Sequence, residues 1–475
     1  RTKALVAEKQ KAETERDRAL VQNRSLAIER DKAVRQLQEQ KDGERQRISQ
    51  AVSQATAEKD KTIRLLQSTL KASRHILSLF ADMLYKASEV LKEVAGKTDI
   101  LPASKIFCDN HIFLKTENIQ STGSFKVRGA YFKISELTEE EKKRGVIACS
   151  AGNHAQGVAL AATKHGVKSL ICLPEGAPIS KIQATKGYGA DVCLVKGVYD
   201  DAYQKALELK EQYGYTFVHP FDDEDVIAGQ GTVALEILED MPKVDAIVVP
   251  IGGGGLISGI AYTIKNLKSK IKVYGVQAEG APSMYRSVKE GAPITLDEVN
   301  TIADGIAVKH PGTLTYELTK KYVDDIFTVS EDEIATAIVT LMERKKMVAE
   351  GAGAVSVAAA MFNKLPLKDK NVVCIVSGGN IDVNKLSRVI TRGLINSGRR
   401  CSLTLRLMDK PGQFSEVARV LAEHGANVIS AFHERASTDA DINFCYIKLD
   451  LETRDFEHIE TIKHALEAEG FRIVG

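Results

Sequence analysis

The spacing of apolar residues divides the chain into three stretches. Residues 1 to about 96 carry no proline and only Gly43 before Gly96, and their Lys, Glu, Arg, Gln and Ala content predicts one continuous helix. Within it Ile63, Leu66, Leu70, Leu77, Phe80 and Leu84, with Ser73 filling one slot, step by three and four, the a/d stripe of a coiled coil. Upstream, Leu5, Ala12, Ala19, Leu26 and Ala33 recur every seventh residue, but their small side chains make a weaker seam. An oligomerising coiled-coil arm over 1–85 is the first reading there, and a solvated single helix the alternative.

From Gly96 onward the pattern changes to short, near-continuous apolar runs alternating with amphipathic ones. Residues 145–150 (GVIACS), 168–174 (KSLICLP), 190–197 (ADVCLVKG), 245–252 (DAIVVPIG), 271–279 (IKVYGVQAE) and 371–379 (NVVCIVSGG) read as strands buried on both faces. That predicts an α/β domain over 86–398, with mainly parallel sheets flanked by helices. From Gly398 to the end the order is strand 401–408, helix 413–424, strands 427–435 and 442–450, helix 456–469 and strand 471–474. This βαββαβ arrangement over 399–475 predicts a ferredoxin-like module.

Composition removes several classes of function. The 65 Lys and Arg nearly balance the 63 Asp and Glu. Residues 1–80 hold 18 basic and 11 acidic side chains, so the remainder is slightly acidic and does not suit a nucleic-acid binder. Seven cysteines without a CxxC pair give neither a disulfide framework nor zinc-ligand spacing, and point to a reducing, cytoplasmic setting. The first residues lack the apolar core of a signal peptide, and no export is expected. The longest uncharged run, 246–264, contains Pro250 and four glycines, which would leave backbone groups unpaired in lipid; no membrane span is expected.

Candidate chemistry lies at four glycine-punctuated segments, each at a strand end or a helix start. In 121–130 (STGSFKVRGA) Lys126, beside Ser124, Phe125 and Arg128, reads as an amine held where loop meets helix, against a plain solvated lysine. In 150–157 (SAGNHAQG) a strand-to-helix turn offers backbone N–H groups suited to a carboxylate or phosphate, against an ordinary capped turn; His154 reads as a base or merely a capping residue. Gly252, Gly253, Gly254, Gly255 and Leu256 form a loop whose backbone can lie against a phosphate. A dinucleotide layout ending at Glu279 is the rival there, though the glycine spacing departs from GxGxxG. Ser377, Gly378, Gly379 and Asn380 close the set at the end of an apolar strand.

On these motifs, taken in this order, the chain from about Lys86 to Arg400 resembles the fold-type-II pyridoxal-phosphate enzymes, most nearly the threonine dehydratases (threonine ammonia-lyases). Residues 409–414 (DKPGQF) and 425–430 (GANVIS) resemble an ACT regulatory domain. The arm has no counterpart in that family, and it joins where the family's first helix would begin, as a fused segment would. The resemblance implies pyridoxal 5'-phosphate carried as an imine by Lys126, with Phe125 behind the ring, Asn153 on its phenolic oxygen, Gly252 to Leu256 on its phosphate and Ser377 facing its pyridine nitrogen. Ser150, Ala151, Gly152, Asn153 and His154 would take the substrate carboxylate. The implied reaction is dehydration and deamination of L-threonine, and of L-serine, to a 2-oxo acid and ammonia. An effector, isoleucine first and valine second, would bind near Asp409, Gly412 and Asn427, between paired modules of a dimer or tetramer. Glu279 is a weak candidate for a metal ligand. Two alternatives stay open: serine racemization or β-replacement on the same scaffold, and a scaffold protein with an inactive domain.

Overall fold

The computed structural model describes residues 2–103, 109–268, 270–435 and 442–474; at 2–7, 10, 12, 13, 17, 60 and 62–79 it describes the helix backbone alone. Two compact units are present, Arg1–Leu79 and Phe80–Gly475. The first is helix, part of one run from Thr2 to Val90. Its side chains at 20–59 are exposed, among them Leu26 and Val52. The seam residues Ile63, Leu66, Leu70, Ser73 and Leu77 lie outside the described side chains. Phe80 and Leu84 depart from the expected stripe: both are buried in the second unit, Phe80 edge-on to Tyr262 with centroids 4.3 Å apart, and Leu84 against Gly231. A helix docking one face on a core has the same three-four spacing as a coiled-coil seam, so the pattern alone does not separate the two.

The second unit holds three sheets. Among the described residues ten strands precede the C-terminal module: β1 Ile100–Pro102, β2 His111–Lys115, β3 Val146–Cys149, β4 Ser169–Pro174, β5 Asp191–Val195, β6 Thr216–Phe217, β7 Ala246–Pro250, β8 Lys272–Ala278, β9 Asp325–Val329 and β10 Asn371–Ile375. The larger sheet has the order β1-β2-β10-β7-β8-β9, parallel except where β1 meets β2, and the smaller the order β5-β4-β3-β6, parallel throughout. Every residue of β3 and β7 is buried. Helix Gly351–Met361, GAGAVSVAAAM, has no polar face and is buried from Gly351 to Ala359, packed on β7, β8, β9 and β10. Strand ends of both sheets and the helices that follow them converge on one crevice, the placement expected of ligand sites in open α/β sheets.

The module follows helix Val383–Asn396. Its strands are β11 Arg400–Met408, β12 Asn427–Glu434, β13 Phe444–Glu452 and β14 Arg472–Ile473, antiparallel in the order β12-β13-β11-β14, with helices Gln413–Glu423 and Phe456–Ala468. Leu403, Leu405, Leu407, Val417, Ile447, Leu449 and Ile462 make its core. The edge strand β12 is exposed along its length, including Ile429 and Phe432.

Candidate functional site

The lysine segment and the end of β10 are stitched together. Ser124 pairs with Gly378 as an isolated bridge, Phe125 N–H donates to Ser377 O at 3.2 Å, and Gly379 N–H donates to Gly123 O at 2.9 Å. Lys126 thereby starts helix Lys126–Ser135 on the crevice wall. Its Nζ donates to Pro220 O at 2.6 Å and stands 5.3 Å from the Phe125 ring centre. The side chain still reaches solvent through the crevice, yet protein atoms crowd the amine: burial lowers its pKa to about 8, partly opposed by Glu350. An amine so placed is partly neutral near physiological pH, and so nucleophilic.

The turn after β3 leads into helix Asn153–Lys164. Ser150 Oγ accepts from Gly152 N–H at 3.2 Å, Ala151 packs on the apolar core beneath, and helix Lys126–Ser135 crosses at Gly157, where a Cβ would lie 3.1 Å from the Lys126 carbonyl. His154 Nε2–H donates to Val218 O at 2.8 Å, leaving a buried Nδ1 without a partner. Burial, and then the charge of Lys126, push its pKa down to about 3, so the ring is neutral and a weak base.

The glycine loop follows β7. A Cβ at Gly253 would stand 2.4 Å from the Phe221 ring, and one at Gly254, whose φ is +102°, 2.7 Å from Thr315 Cβ. Thr315 Oγ1–H holds Gly253 O at 2.6 Å, and Asp222 accepts from Thr313 and Thr315 N–H, which fixes the loop's far wall. Helix Gly255–Leu267 follows with no side-chain cap on its first N–H groups and with Leu256 buried, an arrangement that favours an anion.

Sequence reasoning missed Glu350. It is buried at the N-cap of helix Gly351–Met361, its Oε1 accepts from Asn153 Nδ2 at 2.6 Å, and burial, followed by the charge of Asp304, raises its pKa to about 7. An acid directly before a helix with no polar face was the available signal, since such an acid has no route to solvent along its own helix. Ser377 is buried, its Oγ–H 3.3 Å from Ala352 O. Contacts bring these segments together: Lys126 bonds Pro220, whose neighbour Phe221 packs on the glycine loop, Phe125 bonds Ser377, and Asn153, one residue before His154, bonds Asn380. Glu279 is exposed past the end of β8, and among the described residues no cluster of three or more His, Cys, Asp or Glu is placed to hold a metal.

The three candidate effector residues are not brought together within one chain. Asp409 lies beyond the Met408 end of β11 and pairs with Arg435 (2.5 Å), Gly412 caps helix Gln413–Glu423, and Asn427 donates to Glu452 at 3.1 Å at the opposite end of the sheet. The nine residues of β11 between those ends span roughly 26 Å. The expected site therefore needs a second copy to supply one end.

The crevice fits a small aromatic aldehyde bearing a phosphate: a partly neutral lysine, an amide and a hydroxyl on the walls, and a side-chain-free helix start for the anion. Residues 91–378 match the family model described as pyridoxal-phosphate dependent enzyme, and 402–455 match the ACT domain. The L-threonine ammonia-lyase of Thermotoga maritima is 52% identical over 394 residues, covering 82% of this chain and 98% of its own. The processed form of threonine deaminase isoform 2 from Solanum lycopersicum superposes with a TM-score of 0.65 at 37% identity, covering 67% and 89% of the two chains. Maize serine racemase superposes at 0.62 with 34% identity, covering 66% and 97%.

Proposed function

Because this chain belongs to the family of pyridoxal-phosphate dependent enzymes, we propose that it eliminates water from L-threonine, and from L-serine, to an enamine whose imine tautomer takes up water and releases 2-oxobutyrate or pyruvate with ammonia. The observation that carries the reading is Lys126: a buried amine, its pKa lowered to about 8, beside a glycine-walled helix start. Bound there, pyridoxal phosphate supplies the electron sink for cleavage at Cα. Lys126 would hold it and, as a partly neutral amine, could serve as the base for the Cα proton. Gly252 to Gly255 and Leu256 would take its phosphate on backbone N–H groups, Asn153 its phenolic oxygen, and Phe125 the ring face. Ser377 would face the ring nitrogen with a hydroxyl, which supplies no counter-charge. Ser150 to His154 hold the substrate carboxylate, with His154 neutral.

The ACT module fits amino-acid regulation, with isoleucine the first candidate effector and valine the second. The bare edge of β12 suits pairing with another copy in a homo-oligomer, and the free thiols Cys149, Cys172, Cys193, Cys374, Cys401 and Cys445 suit a reducing cytoplasm. No helix among the described residues is long and apolar enough to cross a membrane.

The test is incubation with L-threonine and L-serine, with 2-oxo acid, ammonia and D-serine assayed together. Oxo acid and ammonia in equal amounts are expected; D-serine alone would move the reading to a racemase, the activity named for the maize structure. Lys126→Ala is expected to abolish the borohydride-fixed attachment of cofactor and to lower turnover by roughly a thousandfold or more. Wild-type oxo-acid production by that variant would sink the proposal.

A further inference from the structure

Glu350 has no part in the roles above, yet it ends a hydrogen-bonded relay across the crevice. Asn380 Nδ2 donates to Thr122 O at 2.7 Å and to Asn153 Oδ1 at 2.9 Å, and Asn153 Nδ2 donates to Glu350 Oε1 at 2.6 Å. Turning the Asn153 amide over would set N–H against N–H at Asn380 and carbonyl against carboxyl at Glu350, so the amide has one orientation. One Asn153 N–H remains unused by this relay, and the two fixed bonds give it a fixed direction. The carboxyl has room because position 378 is glycine: a Cβ there would come within 2.4 Å of Glu350 Oε1 and 3.1 Å of Asn153 Nδ2.

We propose that Glu350 is a positioning residue of the crevice: it holds the Asn153 amide so that the spare N–H meets the cofactor's ring oxygen, and its charge governs the protonation of the nitrogen that Lys126 contributes. This rests on the pyridoxal-phosphate reading above. Glu350 packs against Gly378, which is bridged to Ser124 two residues before Lys126, and at that proximity the carboxylate favours the protonated nitrogen. Around Glu350 stand Asn153, Asp304 and Lys126, with Lys181 2.8 Å and Lys385 3.5 Å from Asp304. Burial and then Asp304 raise the carboxyl to about 7, against the pull of Lys181, Asn153 and Lys385, so its charge changes near neutrality. Below that point the site loses an anion beside the Lys126 nitrogen, and above it regains one.

Glu350→Gln keeps an acceptor for Asn153 and removes the charge; Glu350→Asp keeps the charge and shortens the reach. The readouts are cofactor affinity by fluorescence titration of the stripped protein, the pH dependence of the bound cofactor's visible band without substrate, and kcat against KM. Glu350→Gln is expected to bind cofactor within about threefold of the unaltered protein, to lose the band's movement between about pH 6 and 8, and to lower kcat about tenfold at near-constant KM. Glu350→Asp is expected to keep the band's movement and to bind cofactor about tenfold more weakly. A band that titrates in Glu350→Gln as in the unaltered protein overturns the role, as does Glu350→Asp with unchanged cofactor affinity. Should neither variant fold, a band in the unaltered protein that is flat over that pH range overturns it equally. Failure of the unaltered protein to take up cofactor is seen before any variant is made, and it removes the function on which this role rests.

Discussion

Two buried clusters of charge begin two residues apart, at Arg128 and at Lys126, and they are built in opposite ways. Arg128, 1% exposed, donates to both oxygens of Glu117 at 2.8 Å and to Glu236 at 2.6 and 3.0 Å, with Thr232 Oγ1 at 3.2 Å. Glu117 also accepts from Thr98, and Lys115 donates to Glu236 and to the Thr98 carbonyl, each at 2.6 Å. The guanidinium overcomes the burial that would raise the Glu117 pKa and holds it below the usual carboxylate range, while the two acids push Arg128 further up. Around Lys126 the shifts run the other way: lysine and histidine down, glutamate up. One cluster keeps its charges by satisfying them and ties the lysine helix to β2 and helix Glu224–Asp240. The other leaves its groups short of partners, close to the protonation change that chemistry requires.

The largest effect that would sharpen this contrast is on stability. Arg128→Met takes the guanidinium from the buried Glu117 carboxylate and leaves Glu236 with Lys115 alone, and is expected to cost about 3–5 kcal/mol in urea unfolding of the cofactor-free protein. Lys126→Met removes a group with one polar partner and is expected to cost less than about 1 kcal/mol, or to stabilise; equal losses for the two variants would erase the distinction. Next in size is a pH effect. Folded Lys126 releases its proton near pH 8 and the unfolded chain only near 10.5, so between those values the unfolded state binds more protons and stability rises with pH. The unaltered protein should gain on the order of 2 kcal/mol over Lys126→Met across that window, after allowance for solvent at the crevice mouth. A difference that is flat with pH would mean that the amine is not held down by its surroundings. The smallest effect is at Glu236→Gln, which keeps shape and acceptor at a side chain 16% exposed, with an expected loss of about 1–2 kcal/mol in the same measurement.

The strands that were legible in the sequence are the near-continuous apolar runs; β5 among them was expected to be buried on both faces, but it is the edge of its sheet and leaves Asp191 and Leu194 exposed. β3, β4, β5, β7, β8 and β10 are nearly continuous apolar runs, and no helix of that length reads the same between glycines. β6 is two residues long, and β9 follows two acids, so neither has enough pattern to stand out. In the site, glycines marked Lys126, the turn at Ser150 and the loop at Gly252, because a backbone that must approach a ligand closely cannot carry side chains. Glu350 stands before Gly351 and Gly353, but its partner Asn153 lies 197 positions away, and only the fold brings them together. Phe80 and Leu84 were misread for the complementary reason, since spacing reports that a helix face is apolar and not what covers it. Asp409 and Asn427 lie at opposite ends of their module by strand register, which agrees with an expected effector site shared between two copies and does not test it.

The uncovered β12 has a consequence outside the crevice. Its unpaired backbone groups, with Ile429 and Phe432 beside them, are a template for another strand. On the pairing proposed above, the module's resistance to unfolding should depend on how much protein is in the tube: dilution would leave the edge to water, and concentration would fill it with a neighbour of the same kind.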